Sequence, residues 1–348
     1  MQNLFDKLSA WFSGLGQRLS LSLPERGGFR SRLATILVAV FLVVQIALAW
    51  YWSREPAPFW VRWDNQRAPA VAGFATTDTL IEAARTLLEK PGGYLSNDIG
   101  PPGVFLDNIP NWEFGVLVQV RDLARSLRND YSRSQTQSLE DPDLSRAEPA
   151  FNFDSESWIL PTTESKYREG IRYLERYRDR LSDTSQEEAQ FYARADNLRD
   201  WLAVVEKRLG GLSQRLSASV GQRRVNTDHA GDASAAGATP RPDDIEVKTP
   251  WLMIDDYFYE ARGATWALIH FLRAAEYDFR DVLEDKNAVV SIRQIIRELE
   301  GSQAPMRSPM VLNGSGFAIF ANHSLVMASY LARANSAVID LRRLLDEG

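Results

Sequence analysis

The chain has no cysteine among its 348 residues and only three histidines. The first absence removes disulfides, thiol catalysis and Cys-ligated zinc or iron–sulfur sites together. It permits a periplasmic address without arguing for one. The histidines do little to restore a metal reading. His229 falls in a stretch of small polar residues, and neither His270 nor His323 belongs to a Glu-x-x-His or His-Glu-x-x-His pattern. No metal and no cofactor is therefore expected, and the two helical histidines read as polar groups at helix interfaces. A phosphate loop of the G-x-x-x-x-G-K-[ST] type and a G-x-S-x-G elbow are also missing. Asn313-Gly314-Ser315-Gly316 reads as a Gly-rich cap for the last helix rather than an anion site. Basic stripes are scarce: the formal net charge is −6, and setting aside the tail's five basic and two acidic residues leaves −9 for residues 53–348. An exterior of that sign suits neither phosphate backbones nor anionic headgroups, so nucleic acid is not an expected partner. Strand-like alternation is limited to a short possibility at Phe59–Trp63.

Long apolar runs are scarce as well, with one exception. Leu33–Trp52, LATILVAVFLVVQIALAWYW, carries no charge, and Gln45 is its only strongly polar side chain. At about 1.5 Å per residue it makes a helix of about 30 Å, enough to cross a bilayer's hydrocarbon core once. Arg30 and Arg32 flank it on the N-terminal side, and Trp50, Tyr51, Trp52, Phe59, Trp60 and Trp63 follow as an interfacial belt. The expected topology is a tail over 1–32 in the cytoplasm, a span over 33–52 in a bacterial inner membrane, and the remainder in the periplasm. A cleaved signal peptide competes, because Ala47-Leu48-Ala49 has the A-x-A form. The thirty or so residues ahead of the apolar run, longer than an ordinary n-region, favour an uncleaved anchor. Within the tail, Leu4, Leu8, Trp11, Leu15 and Leu19 share one helical face, read as an amphipathic helix on the membrane or as a frayed tail.

Beyond the span the pattern is helical. Residues 53–77 read as a stalk rich in Pro, Ala and aromatics, followed by a helical region over 78–220 that starts with a helix at Thr79–Lys90 capped by Thr76, Thr77 or Asp78. Apolar residues then recur at 3-4 spacing. They do so along Leu117–Tyr131 and Tyr167–Leu181 (with Arg178 in a seam position), and along Phe191–Leu216, Ile254–Val282 and Phe317–Leu345. Breaks are expected at Gly210-Gly211 and at Pro305–Pro309. Residues 221–247 are small and polar and read as a disordered linker, and 248–348 supply helices that complete the fold. The predicted fold class is mainly α: one transmembrane helix followed by an antiparallel bundle of long helices with coiled-coil-like packing.

Chemistry is concentrated in two places. The irregular stretch 91–115 gathers Tyr94, Asn97, Asp98, Asp107, Asn108, Asn111, Trp112 and Glu113. Amides, acids and aromatics of this kind bind sugars or peptides, and they equally serve as turn formers and helix caps. Asp255, Asp256 and Glu260 form an acidic group, with Asp256 and Glu260 on one helix face. Two carboxylates can divide acid and base roles, but acids opening a helix also meet its dipole favourably. The segment GGYLSNDIGPPGVFLDNIPNWEFGVLVQVRD, with RNDYSRSQTQSLEDPDL after it, resembles the bacterial membrane family known as domain of unknown function 2333. The resemblance implies a membrane-associated bacterial protein and brings no catalytic residues with it. The expected role is a scaffold or binding partner of an envelope protein or cell-wall component, with self-association as a further possibility. The alternative is an envelope enzyme acting on glycan or peptide.

Overall fold

The computed structural model describes residues 29–61, 71–134, 139–183, 189–225, 244–308, 310–315 and 319–347. The tail helix expected over 4–19 and residue Trp63 lie outside them. The chain divides into two units, Met1–Tyr51 and Trp52–Gly348. In the first, α1 (Phe29–Trp52) contains the apolar run; its segment Arg32–Trp52 has a mean hydropathy of 2.5 and buries none of its residues. Length and composition suit a membrane crossing.

The second unit is a helical bundle. Its helices are α2 (Phe74–Glu89), α3 (Asn108–Ser126), α4 (Leu144–Phe151), α5 (Thr163–Ser182), α6 (Ala195–Ser217), α7 (Ile254–Asp278), α8 (Arg280–Asp285), α9 (Val289–Ser302) and α10 (His323–Asp346). A π-turn at Leu127–Tyr131 extends α3. The long-spaced contacts fix their directions. Trp112 meets Trp266 and Tyr131 meets Phe279, so α3 and α7 run parallel. Thr76 bonds Asp278, which sets α2 against α7, and the Arg85–Glu175 and Arg178–Asp78 ion pairs set α5 against α2. Ser302 bonds Thr265 while Arg293 pairs with Glu276, so α9 also opposes α7. Arg199–Asp346 and Ser213–Ala328 oppose α6 and α10. One end of the bundle therefore collects the starts of α3, α5, α7 and α10 and the ends of α2, α6 and α9.

The 3-4 seams form the core. Leu202, Leu268 and Leu341 have no exposed surface, and the seam on α7 is buried from Ile254 to Phe279. Replacing any of those three leucines with Ala should cost about 2–5 kcal/mol through lost burial and a residual cavity, read as a lower urea midpoint for the detergent-solubilised chain. The seam residue Arg178 escapes burial by pairing with Asp78 at 2.7 Å.

Several element boundaries differ from expectation. Helix α2 starts at Phe74, because Gly73 turns the chain at φ 88°, a conformation other residues rarely adopt, and leaves no room for a Cβ under the Phe191 ring. Thr76 and Thr77 lie buried inside the helix instead of capping it. Gly210-Gly211 does not interrupt α6, since Leu209 and Leu212 hold the seam on either side. Helix α10 is capped by Asn322, whose Oδ1 accepts from the Leu325 amide at 2.8 Å; the Asn313–Gly316 segment precedes that cap, and Phe320 stays outside the helix. The ends of the polar stretch 221–247 pair as antiparallel strands β1 (Gln222–Val225) and β2 (Asp244–Val247), with Gln222 opposite Val247. Phe59–Val61 is not a strand.

Part of the expected stalk is packed. Glu55 forms an ion pair with Arg262 at 2.7 Å, and Arg262 also donates to the Ser302 and Ala304 carbonyls. The Phe59 amide donates to His270 Nε2 at 3.0 Å, and the two rings stack 3.8 Å apart. Trp60 lies under the Arg273 guanidinium. Residues 52–61 thus run along α7 as a strap, in the same direction as the helix.

Candidate functional site

The stretch 91–115 lies at the bundle end where α2 finishes and α3 begins. Glu113 sits on the apolar face of α3, one turn from Ile109 and from Leu117, and its side chain has no exposed surface. It pairs with Lys90 Nζ at 2.5 Å and accepts from the Leu95 amide, the Ser96 amide and the Ser96 hydroxyl. Lys90 Nζ also donates to the Gly93 carbonyl. Burial pushes the Glu113 pKa up, against the pull of Lys90 and its other donors. The pair ties the loop from Lys90 to Ser96 onto α3.

The neighbouring candidates are occupied in the same way. Tyr94 is buried, donates to the Ser155 carbonyl at 3.0 Å and meets the Tyr167 ring edge-on; burial raises its phenol pKa far above the usual range. Asn97 bonds the Ser157 carbonyl and Glu164. Asp107 caps α3 through the Asn108 amide, and Asn111 reaches both the Asp107 carbonyl and Asp256 Oδ1, the latter at 2.7 Å. Trp112 is fully buried against Trp266. Asp98 packs under Gly103, and burial raises its pKa. Asn108 Oδ1 is buried without a partner among the described residues. Tyr94, Asn97, Trp112 and Glu113 face inward and hold the loop, so Tyr94→Ala or Trp112→Ala is expected to loosen the bundle.

The acidic group opens α7 beside this loop. Glu260 receives both Arg215 nitrogens at 2.7 and 2.8 Å, and Asp256 accepts from Asn111 with its pKa raised by burial. Asp255 lies in the first turn of α7. Asp256 and Glu260 are thus turned to different partners, with both Glu260 oxygens and Asp256 Oδ1 engaged. Among the described residues no group of three or more His, Asp or Glu side chains is placed to hold a metal.

Two buried titratable groups lie on α7: His270, expected as a polar group at a helix interface, and Asp278, which the sequence did not single out. His270 accepts from the Phe59 amide through Nε2, and Nδ1 lies 2.6 Å from the Trp266 carbonyl, which assigns the proton to Nδ1. Burial lowers its pKa from 6.5 to about 4. Asp278 accepts from the Thr76 amide and hydroxyl, both at 2.6 Å, and burial raises its pKa from 3.8 to about 6. The signs oppose. A depressed histidine means the unfolded chain binds the extra proton, so the His270 contribution is lost as pH falls from about 6.5 to 4. A raised carboxyl means the folded chain binds it, so the Asp278 contribution is lost as pH rises from about 4 to 6. Each amounts to about 3 kcal/mol at most. The stability lead of the wild type over His270→Gln should shrink on acidification through that window. The difference from Asp278→Asn should move the opposite way. Urea titrations at pH 4, 5, 6 and 7 check both slopes.

These observations define a mainly helical protein: an N-terminal apolar helix of membrane-crossing length joined to a bundle whose polar loop is tied to its neighbours through Tyr94, Asn97 and Glu113. The chain belongs to the family of uncharacterized proteins conserved in bacteria, DUF2333, which matches residues 25–348. No curated protein and no solved structure matches it.

Proposed function

We propose that the protein is a single-pass inner-membrane protein whose N-terminal tail is cytoplasmic and whose bundle stands in the periplasm as a scaffold for an envelope partner. The observation that carries this reading is the strap. Glu55, Phe59 and Trp60 fasten the chain that leaves the apolar helix along α7, through an ion pair, a backbone hydrogen bond to His270 and ring contacts. The connection is thus partly built into the bundle rather than left as a free tether, which suits a platform better than a freely tethered enzyme. Glu260 spends both oxygens on Arg215 and Asp256 one of its two on Asn111, which favours the scaffold over the glycan- or peptide-processing alternative.

Alkaline phosphatase fused after Gly348 should be active, because that reporter matures only outside the cytoplasm, and the chain should migrate on immunoblots at its full length. An inactive phosphatase paired with a fluorescent cytoplasmic reporter at the same place would overturn the topology, and loss of the residues up to Ala49 would make the apolar helix a signal peptide. Cross-linking followed by purification from detergent-solubilised membranes should recover an envelope protein or cell-wall fragment in fixed proportion to the chain. Recovery of the chain alone, together with turnover of glycan or peptide by the purified protein, would replace the scaffold by the enzyme.

A further inference from the structure

We infer that the bundle end carrying the stretch 91–107 is a second membrane contact, inserted into the surface of the same bilayer that α1 crosses. This rests on the membrane-anchor reading above. The chain enters the bundle at Trp52, and a Cβ on Gly92 would lie 2.8 Å from Trp52 Cγ, beside Leu95. Trp52 is also the last residue of the apolar helix, in the aromatic group Trp50–Trp52 of the kind that settles at headgroup level. The loop it touches is therefore held at the bilayer surface by chain continuity.

That end is where the bundle leaves its large apolar side chains uncovered. Phe105, Trp158, Leu160, Trp251, Leu252 and Phe320 are 55–90% exposed and come from four separate connections. All four lie at the end defined by the starts of α3, α5, α7 and α10. Asn97 donates to the Ser157 carbonyl at 2.9 Å and joins two of these connections, and Asn111 donates to Asp256 at 2.7 Å between the first turns of α3 and α7. A third hydrogen bond, between Ser157 Oγ and the Ile159 carbonyl, helps fold the 157–161 loop and turn its apolar side chains outward. Toward the opposite end the exposed large apolar residues among those described are fewer and scattered: Leu139, Val290 and Trp60, the last beneath the Arg273 guanidinium. Apolar surface gathered on one end marks a contact surface. An apolar surface bearing tryptophans and adjoining a span fits a bilayer, in which such side chains sink about 5–10 Å into the headgroup and acyl boundary.

The charge on this end narrows the mode of binding. Asp98, Asp107, Asp255 and Asp256 lie at this end against Lys248 and Arg307, a mixture with acids in excess that gives anionic headgroups little hold. Insertion is thus driven by apolar and aromatic side chains and should persist at high salt, when exposed charges are screened.

Because the chain has no cysteine, single cysteines report without background. Full-length Phe105→Cys, Leu160→Cys, Leu252→Cys, Val290→Cys and Val43→Cys variants would each be labelled with an environment-sensitive fluorophore. Each would then be reconstituted into phosphatidylethanolamine–phosphatidylglycerol vesicles with or without spin-labelled lipid. Labels at 105, 160 and 252 should emit in the blue and be quenched by the spin-labelled lipid, in low and high salt alike, and the label at 290 should be neither. The label at 43 tests the anchor separately. If it is quenched while 105, 160 and 252 report water, the anchor stands and the second contact is wrong. If it is not quenched, the anchor reading itself has failed. Blue emission at 105, 160 and 252 without lipid quenching would mean that protein, such as a second copy of the chain, covers this end, and would overturn the lipid assignment.

Discussion

Lys90→Met is expected to lower the unfolding free energy by about 3–5 kcal/mol, among the largest effects of any single polar substitution in the bundle. Neither Lys90 nor Glu113 exposes any of its side chain, and the pair is closed at 2.5 Å. Removing the ammonium leaves a carboxylate without its counter-charge in the interior, where an unpaired ion costs several kcal/mol. Glu113 cannot be relieved by retreating into solvent, because the Leu95 and Ser96 amides and the Ser96 hydroxyl hold its oxygens. The double variant Lys90→Met with Glu113→Gln should recover part of the loss. Gln keeps an acceptor oxygen for those loop donors while removing the buried charge. If Glu113 were needed only as an ion, Glu113→Gln alone would be as damaging as Lys90→Met. The cycle therefore separates the charge from the hydrogen bonds. Urea unfolding of the four chains in detergent gives the coupling energy. A coupling near zero would show that the pair is not closed in solution and that the loop is held by something else.

The helices were legible because burial imposes a period on the sequence whatever the partner helix is. Leu198, Leu202, Val205, Leu209, Leu212 and Leu216 had to lie on one face, and they do. The starts of the helices were less legible where the cap is conformational. Gly73 acts through its positive φ and a missing Cβ, and Asn322 was hidden behind a Gly-rich segment that looked like the better cap. The polar loop shows the sharper limit. Its residue types suggested recognition, yet the fold directs Glu113, Asn97 and Tyr94 at their own neighbours. One signal was present: Glu113 falls on the apolar face of α3, between Ile109 and Leu117, where a carboxylate needs a buried partner. Which cation supplies that partner depends on where α2 ends, and local sequence carries no trace of it. The strap was illegible for the same reason, since Phe59 and His270 stand 211 positions apart.

Gly263→Ala should destabilise the bundle by roughly 3 kcal/mol or more, at or beyond the upper end of ordinary overpacking. A Cβ at Gly263 would lie 1.9 Å from the Trp112 carbonyl oxygen and 2.8 Å from its carbon. A Cβ at Gly115 would lie 2.0 Å from the Glu260 carbonyl oxygen. The two glycines let α3 and α7 approach at backbone contact, and backbone cannot swing aside as a side-chain end can. Separating the helices by the needed distance would also open the Trp112–Trp266 contact and strain the Asn111–Asp256 bond. Because one separation relieves both clashes, Gly115→Ala added to Gly263→Ala should cost less than the sum of the two. Gly210→Ala provides the contrast on α6: its Cβ would meet nothing closer than Asn335 Nδ2 at 3.6 Å. It should stabilise by about 0.5–1 kcal/mol, the usual gain from removing a glycine from a helix interior. Thermal melts of the three variants should therefore fall on opposite sides of the wild type. If Gly263→Ala melted with the wild type, α3 and α7 would not touch at this point, and the seat of Trp112 in the core would have to be redrawn.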